Sequence, residues 1–222
     1  MKQPFRIHDC ALIVRMGGVS DCMNLRELRD RTATCSVDCL YHHFCETPLR
    51  PSFDDPEFRN DFAVWASRAL HDRPLAERLG VLDPYRFGDL EALRTEVLDV
   101  FDERLSEVHL VPTARRGEEF HFMRAVTIVF DTGREITDTQ QLPDAIAEMT
   151  PSSLYYHFIE ARRRTDGRTD DFSAWLGYNS DPMAAHLAVA LSHFDFYFYT
   201  LPDLQRGLVR MCNSVMAAEK SA

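Results

Sequence analysis

Two stretches in the first half of this chain recur in its second half. The segment LYHHFCE at residues 40–46 returns as LYYHFIE at 154–160, and DFAVW at 61–65 returns as DFSAW at 171–175. The first pair is offset by 114 positions and the second by 110, so the motifs lie four residues closer together in the second copy. A duplication of this kind predicts two similar modules that pack with pseudo-twofold symmetry.

The repeat also predicts where the modules begin and end. We expect a first module at residues 1–110 and a second at 119–222, because 111–118 contains the proline, arginine and glycine residues typical of a linker. Each module opens with a short apolar run, at 11–14 and at 126–130, that is followed by glycine and predicts a strand and a turn. The second run continues through DTGR, which indicates a hairpin.

Helical patterns occupy the rest of each module. One predicted helix carries the tyrosine, histidine and phenylalanine of the first motif, and the next begins near Asp61 or Asp171 with its aromatic residues on one face. The predicted fold class is therefore α+β and mostly helical, with a strand or hairpin followed by helices in each module. Because a lone hairpin is marginally stable in water, we expect a hairpin in each module and the pairing of both across the pseudo-twofold axis into one small, four-stranded antiparallel sheet.

The composition limits the partners and the compartment. The 222 residues carry a formal net charge of −10, which disfavours nucleic acid as a partner, since proteins that bind phosphate backbones are usually basic. No apolar run approaches the length of about 18 residues that indicates a membrane span, and the N-terminus lacks the apolar core of a secretory signal. Three of the six cysteines are replaced by Met149, Ser153 and Ile159 in the second copy, so we expect reduced thiols and a cytoplasmic protein.

Paired histidine and glutamate residues are the sharpest chemical candidates. A His-x-x-Glu sequence occurs in each copy of the first motif, and residues three apart on a helix share one face. If the two pairs met across a pseudo-twofold axis, they would resemble a dinuclear carboxylate site, and a divalent metal there would act as a Lewis acid or activate a water. The predicted metal ligands are His43, Glu46, Asp61, His157, Glu160 and Asp171.

A purely structural role for the same residues fits the duplication equally well. In that interpretation His43 and His157 are partly buried and donate hydrogen bonds to carboxylates between helices. Asp61 and Asp171 would then cap the helices that follow. The sequence alone leaves both interpretations open.

Five of the six residues at 194–199 are aromatic, more than one helix face can bury. They either fill the core between the halves or form a surface for a protein partner or a second copy, because aromatic residues dominate interface energetics. A third interpretation is an aromatic wall for a sugar ring. The predicted interface or ligand residues are Phe194, Phe196, Tyr197, Phe198 and Tyr199.

Familiar catalytic signatures do not occur in the sequence. It contains no GxGxxG, Walker, GxSxG or HExxH motif, so no residue is assigned as catalytic. We therefore predict a non-catalytic cytoplasmic binding or regulatory protein that acts through protein–protein or small-ligand contacts, with a protein partner or a homo-oligomer. The alternative is a metal-dependent enzyme, such as a hydrolase, that uses the paired His-x-x-Glu motifs and a divalent metal cofactor.

The repeated motifs resemble a known family. The two motifs, together with LGVLDPY at 79–85 and LxxLR at 90–94, are similar to a bacterial family catalogued only as of unknown function. The second copy departs from that pattern after Leu187, where FDFYFY stands in place of Leu-Asp-Pro-Tyr. The resemblance covers nearly the whole chain and implies no activity. Because members of that family tend to be encoded near glycosyltransferase-type enzymes, it implies an accessory role in sugar metabolism.

Overall fold

The computed structural model describes residues 3–49, 58–165, 167–179 and 181–220. The chain divides into two compact units. One, the central unit, is Leu12–Val126, and the other, the terminal unit, combines Met1–Ala11 with Thr127–Ala222. The beginning of the chain thus packs with its second half.

The central unit contains helices whose starts are set by polar caps. Asn24 accepts a hydrogen bond from the Glu27 backbone N–H at 2.9 Å, and Asp89 accepts one from the Ala92 N–H at 2.8 Å, so each satisfies an otherwise unpaired amide at a helix start. The helices are α1 (Leu25–Thr34), α2 (Val37–Cys45), α3 (Asp61–Arg68), α4 (Arg73–Gly80) and α5 (Leu90–Glu107), with 3₁₀ turns at Thr47–Leu49 and Pro84–Arg86.

The terminal unit combines several short helices with one π-helix and the 20-residue helix at Leu201–Lys220. The π-helix at Tyr155–Glu160 continues directly from one short α-helix into the next. The elements are a 3₁₀ turn (Thr139–Gln141), α6 (Leu142–Ala147), α7 (Pro151–Leu154), the π-helix, α8 (Ala161–Arg164), α9 (Asp171–Gly177), α10 (Pro182–Ser192) and α11 (Leu201–Lys220).

Two long strands, β1 (Phe5–Met16) and β2 (Met123–Ile136), form an antiparallel two-stranded sheet. The predicted four-stranded sheet is therefore wrong, and the hairpin predicted in the second module is not formed, because β2 continues through Gly133. That glycine has a φ of +73°, which lets the strand pass the predicted turn with a local distortion instead of reversing. The fold class itself is confirmed: the protein is mostly helical α+β with a small antiparallel sheet.

The observed division differs from the predicted boundaries at residues 110 and 119. The reason is the apolar face at the start of each strand region. Phe5 and Ile7 are buried in the terminal unit, whereas Phe120 and Phe122 are buried in the central unit. Each repeat therefore places its opening segment among the helices of the other repeat.

The segment predicted as a linker also packs within the central unit. The Leu25 N–H donates to the Pro112 carbonyl at 3.1 Å, and the Ala114 N–H donates to the Met23 carbonyl at 2.6 Å. These hydrogen bonds give the segment fixed partners, which a free connection would lack. Among the described residues, no helix combines the length and the apolar character that crossing a membrane requires.

Candidate ligand-binding clefts

His157 has a hydrogen-bond partner at each ring nitrogen. Nδ1 lies 2.8 Å from Oδ2 of Asp171, and Nε2 accepts the backbone N–H of His8 at 2.8 Å. Because a backbone N–H can only donate, Nε2 is the acceptor, and Nδ1 therefore carries the proton that is donated to Asp171. The ring is thus held as a neutral tautomer by one carboxylate and one strand amide.

His43 has the same arrangement in the central unit. Its Nδ1 lies 2.5 Å from Oδ2 of Asp61, and its Nε2 accepts the backbone N–H of Met123 at 2.9 Å. Both histidine side chains are buried. These contacts match the structural interpretation of the histidines, in which each ring connects a helix to its neighbouring elements.

The helix caps fall one residue earlier than the sequence suggests. Asn60 caps α3 through a 2.8 Å hydrogen bond from the Ala63 N–H, and Asp170 caps α9 through a 2.8 Å hydrogen bond from the Ser173 N–H. The alternative in which Asp61 and Asp171 are the caps is therefore wrong. As the first residues of their helices, these two aspartates are left to bind the histidines.

The two tryptophans also have equivalent contacts in the two units. The indole N–H of Trp175 donates to the Gln3 carbonyl at 2.8 Å, and that of Trp65 donates to the Glu118 carbonyl at 2.6 Å. The acceptors are 115 positions apart (118 − 3), as are Phe5 and Phe120 (120 − 5), which pack against Trp175 and Trp65 with ring centroids 5.6 and 5.7 Å apart. Each unit thus builds one histidine–aspartate–tryptophan framework against one incoming strand segment.

A cleft opens beside this framework in the terminal unit. It has a volume of about 530 Å³, within the range of small-molecule sites. We call it the terminal cleft, and its lining residues include the exposed Arg6 and Tyr178. The remainder of the lining is Gln3, Pro4, Phe5, His8, Tyr156, His157, Arg164, Asp171 and Trp175.

Arg164 is fixed in place in the terminal cleft. Its Nε donates to the Glu160 carboxylate, while Nη2 donates to Asp171 at 2.9 Å and to the Tyr156 carbonyl at 3.1 Å. The guanidinium carbon also lies 4.0 Å from the centroid of the Tyr156 ring, a cation–π contact. About a third of the side chain (34%) stays exposed, so a held cation faces the opening.

The π-helix gives the terminal cleft a geometry that the matching motif of the central unit lacks. It carries Tyr156, His157 and Glu160, whereas the matching motif of the first copy lies in and directly after the α-helix α2. π-helical turns are rare and are found frequently at functional sites. This local difference distinguishes the two copies of an otherwise shared motif.

The corresponding cleft of the central unit has a volume of about 400 Å³ and a different chemistry. We call it the central cleft. Its described lining contains Asp61, Glu118, Glu119 and Arg68 as charged residues, together with His121. Arg50, which the repeat aligns with Arg164, lies outside the described residues. Three carboxylates against one arginine make the described central lining acidic, whereas the terminal cleft has two arginines and one aspartate.

Burial and ion pairing change the acidity of the groups around the terminal cleft. Burial acts to raise the pKa of Asp171, but hydrogen bonds from His157 and Arg164 outweigh it and hold that pKa below its usual value. Burial raises the pKa of Glu160 despite the ion pair with Arg164. Burial likewise raises the pKa of the Tyr156 hydroxyl. Asp171 is thus the firmly ionised carboxylate of this cleft.

The glutamates among the predicted metal ligands have other partners than the predicted histidines. Glu46 pairs with His42 at 2.6 Å, and Glu160 pairs with Arg164, so neither glutamate binds the histidine three residues before it. The described residues contain no group of three or more histidine, cysteine, aspartate or glutamate side chains arranged to hold a metal ion. The metal site stays a prediction from the sequence, without a coordination geometry in this part of the chain.

The predicted aromatic segment is split between interior and surface. Phe194 and Phe196 pack on Phe158, with ring centroids 6.4 and 5.5 Å apart. Tyr197 is buried, while Phe198 and Tyr199 are exposed. The inner residues fill the core of the terminal unit, and the outer two leave an aromatic patch on its surface.

Sequence reasoning missed most of the residues that line the terminal cleft. Gln3, Arg6 and His8 precede the predicted strand, and Arg164 and Tyr178 lie just outside the repeated motifs. One signal was present: the pattern of Phe5 and Ile7 recurs as Phe120 and Phe122, before each predicted strand. That recurrence marks both segments as parts of the repeat.

Two comparisons relate this chain to known proteins. The model of a family of unknown function (DUF5752) matches residues 2–213, so the chain belongs to this family. OrfY from the archaeon Thermoproteus tenax has a similar structure, with 28% sequence identity, a TM-score of 0.80 and 96% of each chain covered. No curated protein matches. The predicted membership of an uncharacterised family is confirmed, while its bacterial origin stays a prediction.

Proposed function

We propose that this member of DUF5752 is a non-catalytic binding protein that holds a small ligand in its terminal cleft. The observation that carries the proposal is the contrast between two clefts built on one framework. Only the terminal cleft combines a π-helix, an arginine fixed by carboxylates and a tyrosine ring, and an exposed tyrosine, as far as the described residues extend. A duplicated framework with one specialised copy fits a single ligand site.

The state of the histidines supports binding over catalysis. A general base needs a free lone pair within reach of the substrate proton. In His157 and His43, Nε2 already accepts a strand amide and Nδ1 donates to an aspartate. Using either ring as a base would break a buried hydrogen bond that connects a strand to a helix.

A regulatory role would need a surface for a protein partner. Phe198 is 61% exposed and Tyr199 is 41% exposed, and aromatic residues of this kind are common interface anchors. Both residues belong to the terminal unit, as does the terminal cleft. The proposed role is that of a ligand-responsive accessory protein of sugar metabolism, as the gene neighbourhoods of the resembling family imply.

The proposed compartment is the bacterial cytoplasm. All six cysteine side chains are buried in the interior of the protein. Burial raises the pKa of Cys22 and Cys212 to about 12. These two thiols stay protonated at neutral pH, which suits a core in a reducing compartment.

Native mass spectrometry of protein purified from its own cells tests the proposal. We expect a bound small molecule that is released on denaturation. Tyr178→Ala should lower its occupancy, whereas the control Arg68→Ala, at the matching position of the central unit, should leave it unchanged. The proposal fails if no small molecule is bound and no compound of a broad metabolite library raises the melting temperature.

A further inference from the structure

We infer that the ligand of the terminal cleft is a ring compound that carries a phosphate monoester, with the phosphate at Arg164 and Arg6 and the ring against Tyr178. This inference rests on the proposed function and adds the chemical class of the ligand. It is carried by the charges and aromatic rings of the lining residues.

Arg164 presents a free edge of its guanidinium group. Nε and Nη2 are occupied by Glu160, Asp171 and the Tyr156 carbonyl, whereas Nη1 makes no hydrogen bond to any described residue. A guanidinium held in this way loses little conformational entropy when it binds, and its planar N–H groups match phosphate oxygens. Nη1 is therefore a pre-positioned hydrogen-bond donor for an anion.

Arg6 provides the second positive charge. It is exposed, and it lies on β1 between the buried Phe5 and Ile7, which anchor the strand in the terminal unit. Its side chain is therefore open to solvent while its two neighbours anchor the backbone. A phosphate monoester carries close to two negative charges at neutral pH, so two arginines match it better than they match a single carboxylate.

The carboxylates of the terminal cleft are already engaged. Asp171 accepts from both His157 and Arg164, and Glu160 is buried behind Arg164. Among the described residues no carboxylate pairs with Arg6, so its charge remains available to an anion.

The aromatic residues and the volume indicate that the ligand is larger than a free phosphate ion. Tyr178 is 78% exposed at the cleft, and the Trp175 and Tyr156 rings complete an aromatic lining. A cleft of about 530 Å³ exceeds what a phosphate ion fills and has room for a ring. Sugar rings and nucleobases both pack against aromatic side chains.

The central cleft lacks these features in its described residues. His121 stands at the position of Arg6, Glu118 at that of Gln3 and Arg68 at that of Tyr178. The three carboxylates of the described lining would repel a phosphate. This cleft therefore supplies matched control positions within the same molecule.

Isothermal titration calorimetry with four ring phosphates tests the inference: glucose 6-phosphate, ribose 5-phosphate, AMP and UMP. Their controls are the unphosphorylated parents and inorganic phosphate. We expect at least one ring phosphate to bind about tenfold more tightly than both its parent and inorganic phosphate, because each charge-assisted hydrogen bond lost weakens binding about that much. Sugar phosphates and nucleotides are separate arms, and the arm that binds identifies the ring.

Variants place the interaction in the terminal cleft. Arg6→Gln should weaken binding about tenfold, and Tyr178→Ala about fivefold, while the matched controls His121→Gln and Arg68→Ala should not change it. All four side chains lie outside the buried core, so these variants are expected to fold.

Three results overturn the inference: equal binding of parent and phosphate, binding that Arg6→Gln leaves unchanged, and binding of none of the four compounds. If a ligand without phosphate is then found on the protein from its own cells, the proposed binding function stands and the ligand class is wrong. If none is found, both fail.

Discussion

The terminal and central clefts share a framework but differ in what lines them. In each, a histidine is fixed between an aspartate and a strand amide, and a tryptophan donates to a strand carbonyl. The terminal cleft adds Arg6, Arg164 and Tyr178, whereas the described central cleft adds Glu118 and Glu119. The comparison teaches that the shared part of the duplication supports the structure, and that the two copies differ in the charged and aromatic residues around it.

The largest expected effect tests whether the incoming segments are equivalent. Phe5→Ala and Phe120→Ala each remove a buried ring that packs on a tryptophan and a histidine. We expect each variant to lose about 3 kcal/mol of unfolding free energy, which is typical of a buried phenylalanine. Urea denaturation measures both, and a loss confined to one variant would break the comparison.

The next largest effect tests whether the charges of Asp171 and Asp61 stabilise the framework. Asp171→Asn and Asp61→Asn keep an oxygen acceptor for the histidine but remove the charge. We expect a loss of about 1.5 kcal/mol in each case, as for a hydrogen bond to a charged group. Thermal unfolding at neutral pH is the measurement, and an effect below the experimental error in both variants would contradict a framework role.

Acid titration sharpens the result for Asp171. Its pKa in the folded protein lies below the ordinary value of 3.8, so its stabilising contribution is complete above that value and is lost as the pH falls through the lowered folded pKa. Wild type should therefore lose stability more steeply than Asp171→Asn below about pH 4. Parallel stability curves for the two proteins would show that the carboxylate is not coupled to folding.

The smallest expected effect concerns Glu160. Its pKa is raised by burial. Ionisation of Glu160 therefore lowers the free energy of unfolding as the pH rises through that pKa. Glu160→Gln should change the free energy of unfolding at pH 7 by less than about 1 kcal/mol. Between pH 4 and 7, wild type should lose stability relative to the variant, because only wild type ionises at this position. A large loss at neutral pH would mean that the ion pair with Arg164 outweighs burial.

Parts of this structure could be predicted from the repeat. The helices that begin at Asp61 and Asp171 follow from the motif, as do the histidine–carboxylate contacts of the structural interpretation. The exchanged segments could not be predicted, because Phe5 and Phe120 present similar apolar faces that suit the helices of either repeat. Local patterns fix which face of a segment is buried, while tertiary packing decides where it is buried.

The position of Arg164 in the terminal cleft could not be predicted from the sequence either. Arg164 lies in a run of three arginines, and the run itself does not show which of them lines a cleft. Its position depends on the π-helix, which brings Tyr156 and Glu160 into contact with it. Single-sequence patterns at a period of 3.6 residues predict an α-helix there and do not register the π-helix.

Indole ¹H–¹⁵N NMR tests the central claim most directly, because Trp65 and Trp175 are the two tryptophans of the chain and each lines one cleft. A Trp65→Phe variant assigns the two signals. The probes are the four ring phosphates, followed by a small-molecule extract of the host cells. We predict that a bound compound moves the Trp175 signal and leaves that of Trp65 in place. Movement of the Trp65 signal alone, or of neither signal, would contradict the assignment of the ligand site to the terminal cleft.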